Sequence, residues 1–153
     1  MMRQGIQTNF EHPTLRTWGC YFFTLCRLAE ILRAKMDRPG FTDREIIKLY
    51  EYCVEVDWIT GNCWILQPEN IMNYLQGHTI FRGASHSSTP PPNEYFPVYF
   101  KQERLGRDDL THFALGTRDA EGGVKIEWDS WTPSAIQRLM PLHSYRWLIA
   151  RPK

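Results

Sequence analysis

The stretch Thr17–Met36, TWGCYFFTLCRLAEILRAKM, decides how the chain is read. Cys20, Phe23, Leu25, Leu28, Ile31 and Leu32 recur at close to helical spacing, so a buried amphipathic helix is expected to begin near Cys20, directly after Gly19. Pro39 and Gly40 break the chain beyond it. Thr42-Asp-Arg-Glu45 then matches a capping box ahead of Ile46, Ile47, Leu49, Tyr50 and Val54, which predicts a second helix over residues 43 to 55. Pro68 suits the first position of a third helix running to Leu75, with Ile71, Met72 and Leu75 facing inward and Gly77 ending it.

The composition changes after that point. From His78 to Asn93 the chain is rich in Gly, Ser, Thr and Pro, with Pro90 to Pro92 in a row, and residues 78–93 are read as a loop, with Gly83 to Asn93 as a candidate lid. Short β-type runs follow at Tyr95–Lys101, Leu110–Thr117, Val124–Asp129 and Ser144–Arg151, separated by turn residues. Helices first and strands second predict an α+β fold, N-terminal helices packed on a C-terminal antiparallel sheet. At 153 residues, 42% of them hydrophobic and 14% aromatic, the chain is expected to form one domain, residues 1–153, around one core.

A net charge of +1 gives no basic surplus that would suggest a nucleic-acid partner. No run approaches the ~18 apolar residues of a membrane helix, and Met1–Phe10 is polar without an apolar signal core, so a cytoplasmic location without membrane contact is expected. Cys20, Cys26, Cys53 and Cys63 show neither CxxC spacing nor the density of a disulfide scaffold and are read as free thiols. No histidine pair has metal-ligand spacing, so neither a metal nor a cofactor is expected.

A cysteine hydrolase needs a thiolate, a histidine to hold its proton and a polar group to fix the imidazole. Cys20 follows a glycine at a helix start, where the dipole and free amides favour a thiolate and an oxyanion. His112 lies in the strand pattern THFALG and Asp129 closes VKIEWD, and a turn around Asp119–Gly123 would bring the second strand back beside the first. Cys26 and Cys53 sit on apolar helical faces and are read as core, and Cys63 as structural.

A Gly-Cys at a helix start, a distant His-Phe on a strand and an Asp ending the next strand resemble the papain-like cysteine hydrolase superfamily, in particular its bacterial double-glycine-peptidase-like branch. The resemblance implies a Cys20, His112, Asp129 triad that cleaves amide bonds. It also implies a glutamine ahead of the cysteine to complete the oxyanion hole, Gln7 first and Gln4 second. Trp18, Gly19 and Trp131 flank these positions and are candidates to line a cleft. The function expected is that of a peptidase or amidase acting on a peptide, protein or peptidoglycan substrate in a bacterial or phage setting. The alternative is a non-catalytic papain-like fold that serves as a protein-binding module or inhibitor.

Overall fold

A computed structural model describes residues 1–77, 81–87, 93–131 and 142–150, with backbone only at 84–87 and 142–150. Its centre is α2 (Cys20–Ala34), in which Phe22, Phe23, Thr24, Leu25, Cys26, Leu28, Ala29 and Glu30 are all buried. Burial on so many sides marks a helix surrounded by other elements rather than one lying on a surface. Glu30 is the one carboxylate carried into this core. It accepts hydrogen bonds from the backbone N–H of Met2 (3.0 and 3.1 Å) and of Phe41 (2.8 Å) and from the Arg27 guanidinium (3.1 Å), which compensates its burial and ties two distant segments to α2.

Two short elements precede α2: a 3-10 turn at Ile6–Asn9 and α1 (Pro13–Trp18). Pro13 occupies the first turn of α1, and His12 caps it by accepting from the Leu15 N–H at 3.3 Å. α3 (Asp43–Glu55) carries the predicted capping box, Glu45 N–H to Thr42 Oγ1 at 3.2 Å and Thr42 N–H to Glu45 Oε1 at 3.0 Å. α4 (Pro68–Gln76) begins at its proline and ends on Gly77, whose φ of 79° is the left-handed conformation that a glycine cap supplies.

The strands are β1 (Phe81–Ser87), β2 (Tyr95–Gln102), β3 (Leu110–Arg118), β4 (Val124–Trp128) and β5 (Leu142–Ala150). They form one antiparallel sheet in the order β1-β5-β2-β3-β4, so the α+β architecture is as expected. The segment 78–93 is not a loop throughout. Residues 78–80 and 88–92 lie outside the described residues, but Phe81–Ser87 is a strand, and the proposed lid loses its first half to it. The reason is tertiary: β1 is an edge strand held by backbone pairing to β5 near the far end of the chain, and an edge tolerates the small and polar residues that argued for a loop. Asp129 follows β4 rather than ending it.

The sheet separates two apolar clusters. The larger contains α2, the inward residues of α3 and α4, and Leu115 and Trp128 from the sheet. The smaller gathers Phe96, Val98, Phe100 and Ala114, with Leu110, Val124, Ile126 and Trp131 packed against them. Among the described residues no helix is long and apolar enough to cross a membrane.

Candidate functional site

β3 is covered by β4 only between Leu115 and Arg118. Among the described residues the β4 pairing does not extend along this flank past Leu115 to His112. The start of α2 comes against β3 through Tyr21, whose ring stacks on Phe113 at 4.0 Å and 11°. Cys20 and His112 are the immediate sequence neighbours of that stacked pair. On the other side the turn Asp119–Gly123, closed by Asp119 N–H to Gly123 O at 2.8 Å and by Gly123 N–H to Asp119 Oδ1 at 2.6 Å, folds β4 back so that Asp129 runs past the same flank.

His112 and Asp129 meet there, both fully buried, with Nε2–H of the imidazole donating to Asp129 Oδ1 at 2.6 Å. Asp129 Oδ1 also accepts the backbone N–H of Trp131 at 2.8 Å, a turn that fixes the carboxylate from its own chain. The Trp131 indole stacks on the imidazole at 3.8 Å and 21°, so His112 is held edge-on by a carboxylate and face-on by a ring. Burial alone would lower the pKa of His112. The Asp129 hydrogen bond, together with hydrogen bonding and charge from Cys20, outweighs it and raises the value to about 9.

Cys20 is half-buried at the first position of α2. With Nε2 taken by Asp129, the ring nitrogen left to the thiol is Nδ1, which is buried and meets no partner at full hydrogen-bond geometry. The Cys20 thiol bears on the imidazole through its contribution to the raised value of His112. Gly19 is required by packing: a Cβ there would meet Leu15 O at 2.5 Å and Phe23 Cε2 at 3.0 Å. It is what lets α1 run into α2 with one residue between them.

The N-terminal segment completes the site. Gly5 N–H donates to Asp129 O at 3.0 Å and Gln7 N–H to Ser130 O at 2.9 Å, and the indole N–H of Trp128 reaches Met2 O at 3.4 Å. Gln7 is buried; its Oε1 accepts from Ser130 Oγ at 2.7 Å and its Nε2 donates to Arg16 O at 3.1 Å. Gln7 is therefore brought to the segment that carries Asp129, whereas Gln4 is exposed. An amide nitrogen has two hydrogens, and one remains beyond the Arg16 bond.

The other thiols are different. Cys26 and Cys53 are fully buried; burial pushes Cys26 well above the ordinary thiol range and Cys53 up to about 12. Cys63 is also raised, mainly by burial, against a lowering hydrogen bond from Tyr50. Trp18 stands 61% exposed two residues before Cys20. Among the described residues no three His, Cys, Asp or Glu side chains come together as metal ligands. Sequence reasoning missed Ser130 and its bond to Gln7, since a single serine after an aspartate carries no pattern that would single it out.

The model of the DUF261 family, described as proteins of unknown function, matches residues 2–146, and the chain belongs to that family. No curated protein and no solved structure matches it.

Proposed function

We propose that this member of the DUF261 family is a thiol hydrolase of amide bonds, with Cys20 as nucleophile, His112 as proton carrier and Asp129 as the group that orients the imidazole. One observation carries the reading. A fully buried histidine gives one ring nitrogen to a buried carboxylate at 2.6 Å, while its other nitrogen has no formed partner and feels the thiol at the start of α2. Most buried polar side-chain atoms have a partner, so the open ring nitrogen supports a role beyond packing. The order of Gly-Cys, His-Phe and Asp along the chain supports the likeness to papain-like hydrolases.

The chemistry follows from the atoms available. The Cys20 thiol gives its proton to His112 Nδ1, and the sulfur attacks the amide carbonyl carbon, so that a C–S bond forms as the oxygen takes up negative charge. No side chain caps the start of α2, so the Cys20 backbone N–H and the second Gln7 N–H are the proposed donors for that oxygen. The His112 imidazolium gives its Nδ1 proton to the departing amine as the C–N bond breaks, leaving a thioester. Water then attacks the thioester while the imidazole takes its proton, and the carboxylic acid leaves Cys20 free. Substrates of this class are peptide, protein or peptidoglycan amides.

Labelling of the native protein with iodoacetamide at neutral pH, read by peptide mass spectrometry, tests the reading. Fast modification confined to Cys20 and slowed at least about tenfold in His112→Ala is expected, because the paired thiolate is the reactive species. Slow modification of Cys20, no faster than that of a free thiol and indifferent to His112→Ala, would overturn it and favour a binding module.

A further inference from the structure

Among the described residues the pairing of β4 ends at Trp128, and the two residues after it, Asp129 and Ser130, are fully buried. Their carbonyls are taken by the amino-terminal segment: Asp129 O accepts the N–H of Gly5 at 3.0 Å, and Ser130 O that of Gln7 at 2.9 Å. One residue earlier the Trp128 indole N–H donates to Met2 O at 3.4 Å. Residues 2–7 therefore lie along residues 128–130 as a strap, bonded to each of the three.

The other end of the strap is held from α2. The N–H of Met2 lies between both carboxylate oxygens of Glu30, 3.0 Å from Oε1 and 3.1 Å from Oε2. Met2 is buried and so is Glu30, so no solvent stands ready to replace that bond. Phe41 N–H at 2.8 Å and the Arg27 guanidinium at 3.1 Å complete the carboxylate's partners. Gly40 leaves the room for this junction, since a Cβ there would collide with Glu30 Oε2 and come within 3.2 Å of Met1 Cα. α2 thus carries the thiol of Cys20 at its first position and, further along the same rigid element, the carboxylate to which the strap is fastened.

We infer that Glu30 is a positioning residue for the His112–Asp129 pair: by fixing Met2 it fixes the strap, and the strap fixes the backbone of Asp129. The inference rests on the hydrolase reading only for what the pair then does to Cys20. None of the bonds to Glu30 involves His112, so any effect of the carboxylate on the imidazole has to pass through the strap. A carboxylate that served the core alone would leave the imidazole as it is.

The test follows the protonation of His112 by NMR in Glu30→Gln, which keeps the shape of the side chain and removes its charge. With Met2 released and Asp129 free to withdraw, the His112 midpoint, about 9 in the native protein, is expected to fall by about one unit or more. Iodoacetamide labelling of Cys20 at neutral pH should slow severalfold. Gly40→Ala displaces the carboxylate without removing it, and the far end of a side chain can give way, so this variant should fold and move both readouts in the same direction. It decides the matter alone if Glu30→Gln does not fold. Ile71→Val is the control: it loosens the core at a fully buried residue outside the strap, and should lower the melting temperature with the midpoint unmoved. Lower melting with an unmoved midpoint in Glu30→Gln and Gly40→Ala overturns the inference, as does an equal fall in Ile71→Val. A midpoint that falls as expected, while native Cys20 labels no faster than a free thiol, upholds the positioning role and overturns the hydrolase reading.

Discussion

Asp129 faces His112 because β4 holds one residue more than the stretch of β3 it pairs with. Gly116 lies opposite Ile126, but Leu115 lies opposite Trp128, so Glu127 is the extra residue of a bulge. In a regular ladder Trp128 would stand across from Ala114 and Asp129 across from Phe113. The bulge instead puts Trp128 across from Leu115, with which it shares the larger core, and carries Asp129 onto the face of Ala114 and His112. Opposed residues of an antiparallel pair share a face, and the pairing of Phe100 with His112 and of Val98 with Ala114 shows which face that is.

Deleting Glu127 should therefore separate the pair. The expected outcome is loss of the downfield imidazole N–H resonance of His112, with a stability loss on the order of 3 kcal/mol as Trp128 is turned out of the core. Glu127→Ala keeps the residue count and should keep the resonance, losing about 1 kcal/mol with the bond from Thr117 Oγ1 at 2.9 Å. A deletion variant that retained the resonance would show that the bulge does not aim Asp129.

The raised pKa of His112 has a direction in stability. Its folded value, about 9, lies above the ordinary 6.5, so its contribution is complete below about pH 6.5 and is lost as the pH rises toward 9. Urea midpoints measured across that window should fall, by on the order of 3 kcal/mol at most. In Asp129→Asn the fall should be much shallower. An equally steep fall in that variant would place the cause outside the His112–Asp129 pair.

Gly19→Ala should be destabilising by about 1–3 kcal/mol, because the added carbon meets the backbone oxygen of Leu15 and that atom cannot swing aside. Iodoacetamide labelling of Cys20 should slow as well, since any relief must shift the first turn of α2. Unchanged melting together with unchanged labelling would mean that the junction between α1 and α2 has slack that the contact distances deny.

Gln7→Ala should lower turnover of an amide substrate by about 10²–10³, the usual loss for one oxyanion donor. Labelling of Cys20 should change far less, because alkylation by iodoacetamide develops no oxyanion. Ser130→Ala leaves Gln7 in place but frees its amide to turn, and its loss should be smaller. A parallel drop in turnover and labelling for Gln7→Ala would assign the residue to holding the Asp129 segment alone.

What could be read from the sequence was local in origin. The capping box of Thr42 and Glu45 specified α3 to its end residues, and alternation placed β2 and β3 to within about a residue, since each signal lies inside the element it describes. The helix start at Cys20 and the meeting of His112 with Asp129 were also legible, the latter because a short turn leaves antiparallel strands few alternatives. β1 was not, because its warrant is pairing with β5, a strand some sixty residues later that its own composition cannot announce. α1 is too short for periodicity, and Pro13 was its only sign. The bulge at Glu127 and the bond from Ser130 to Gln7 are products of packing, invisible to any window of sequence.

The bonds from Gly5 to Asp129 and from Gln7 to Ser130 have a bearing on the birth of the protein. A ribosome delivers Cys20 early and His112 and Asp129 only much later, so on the hydrolase reading the thiol is first present without its base. A chain released before Asp129 lacks both the carboxylate and the partner onto which its leading residues fasten. On the hydrolase reading an unfinished molecule holds no activated thiol, which arises only when the two distant stretches of chain have closed on one another.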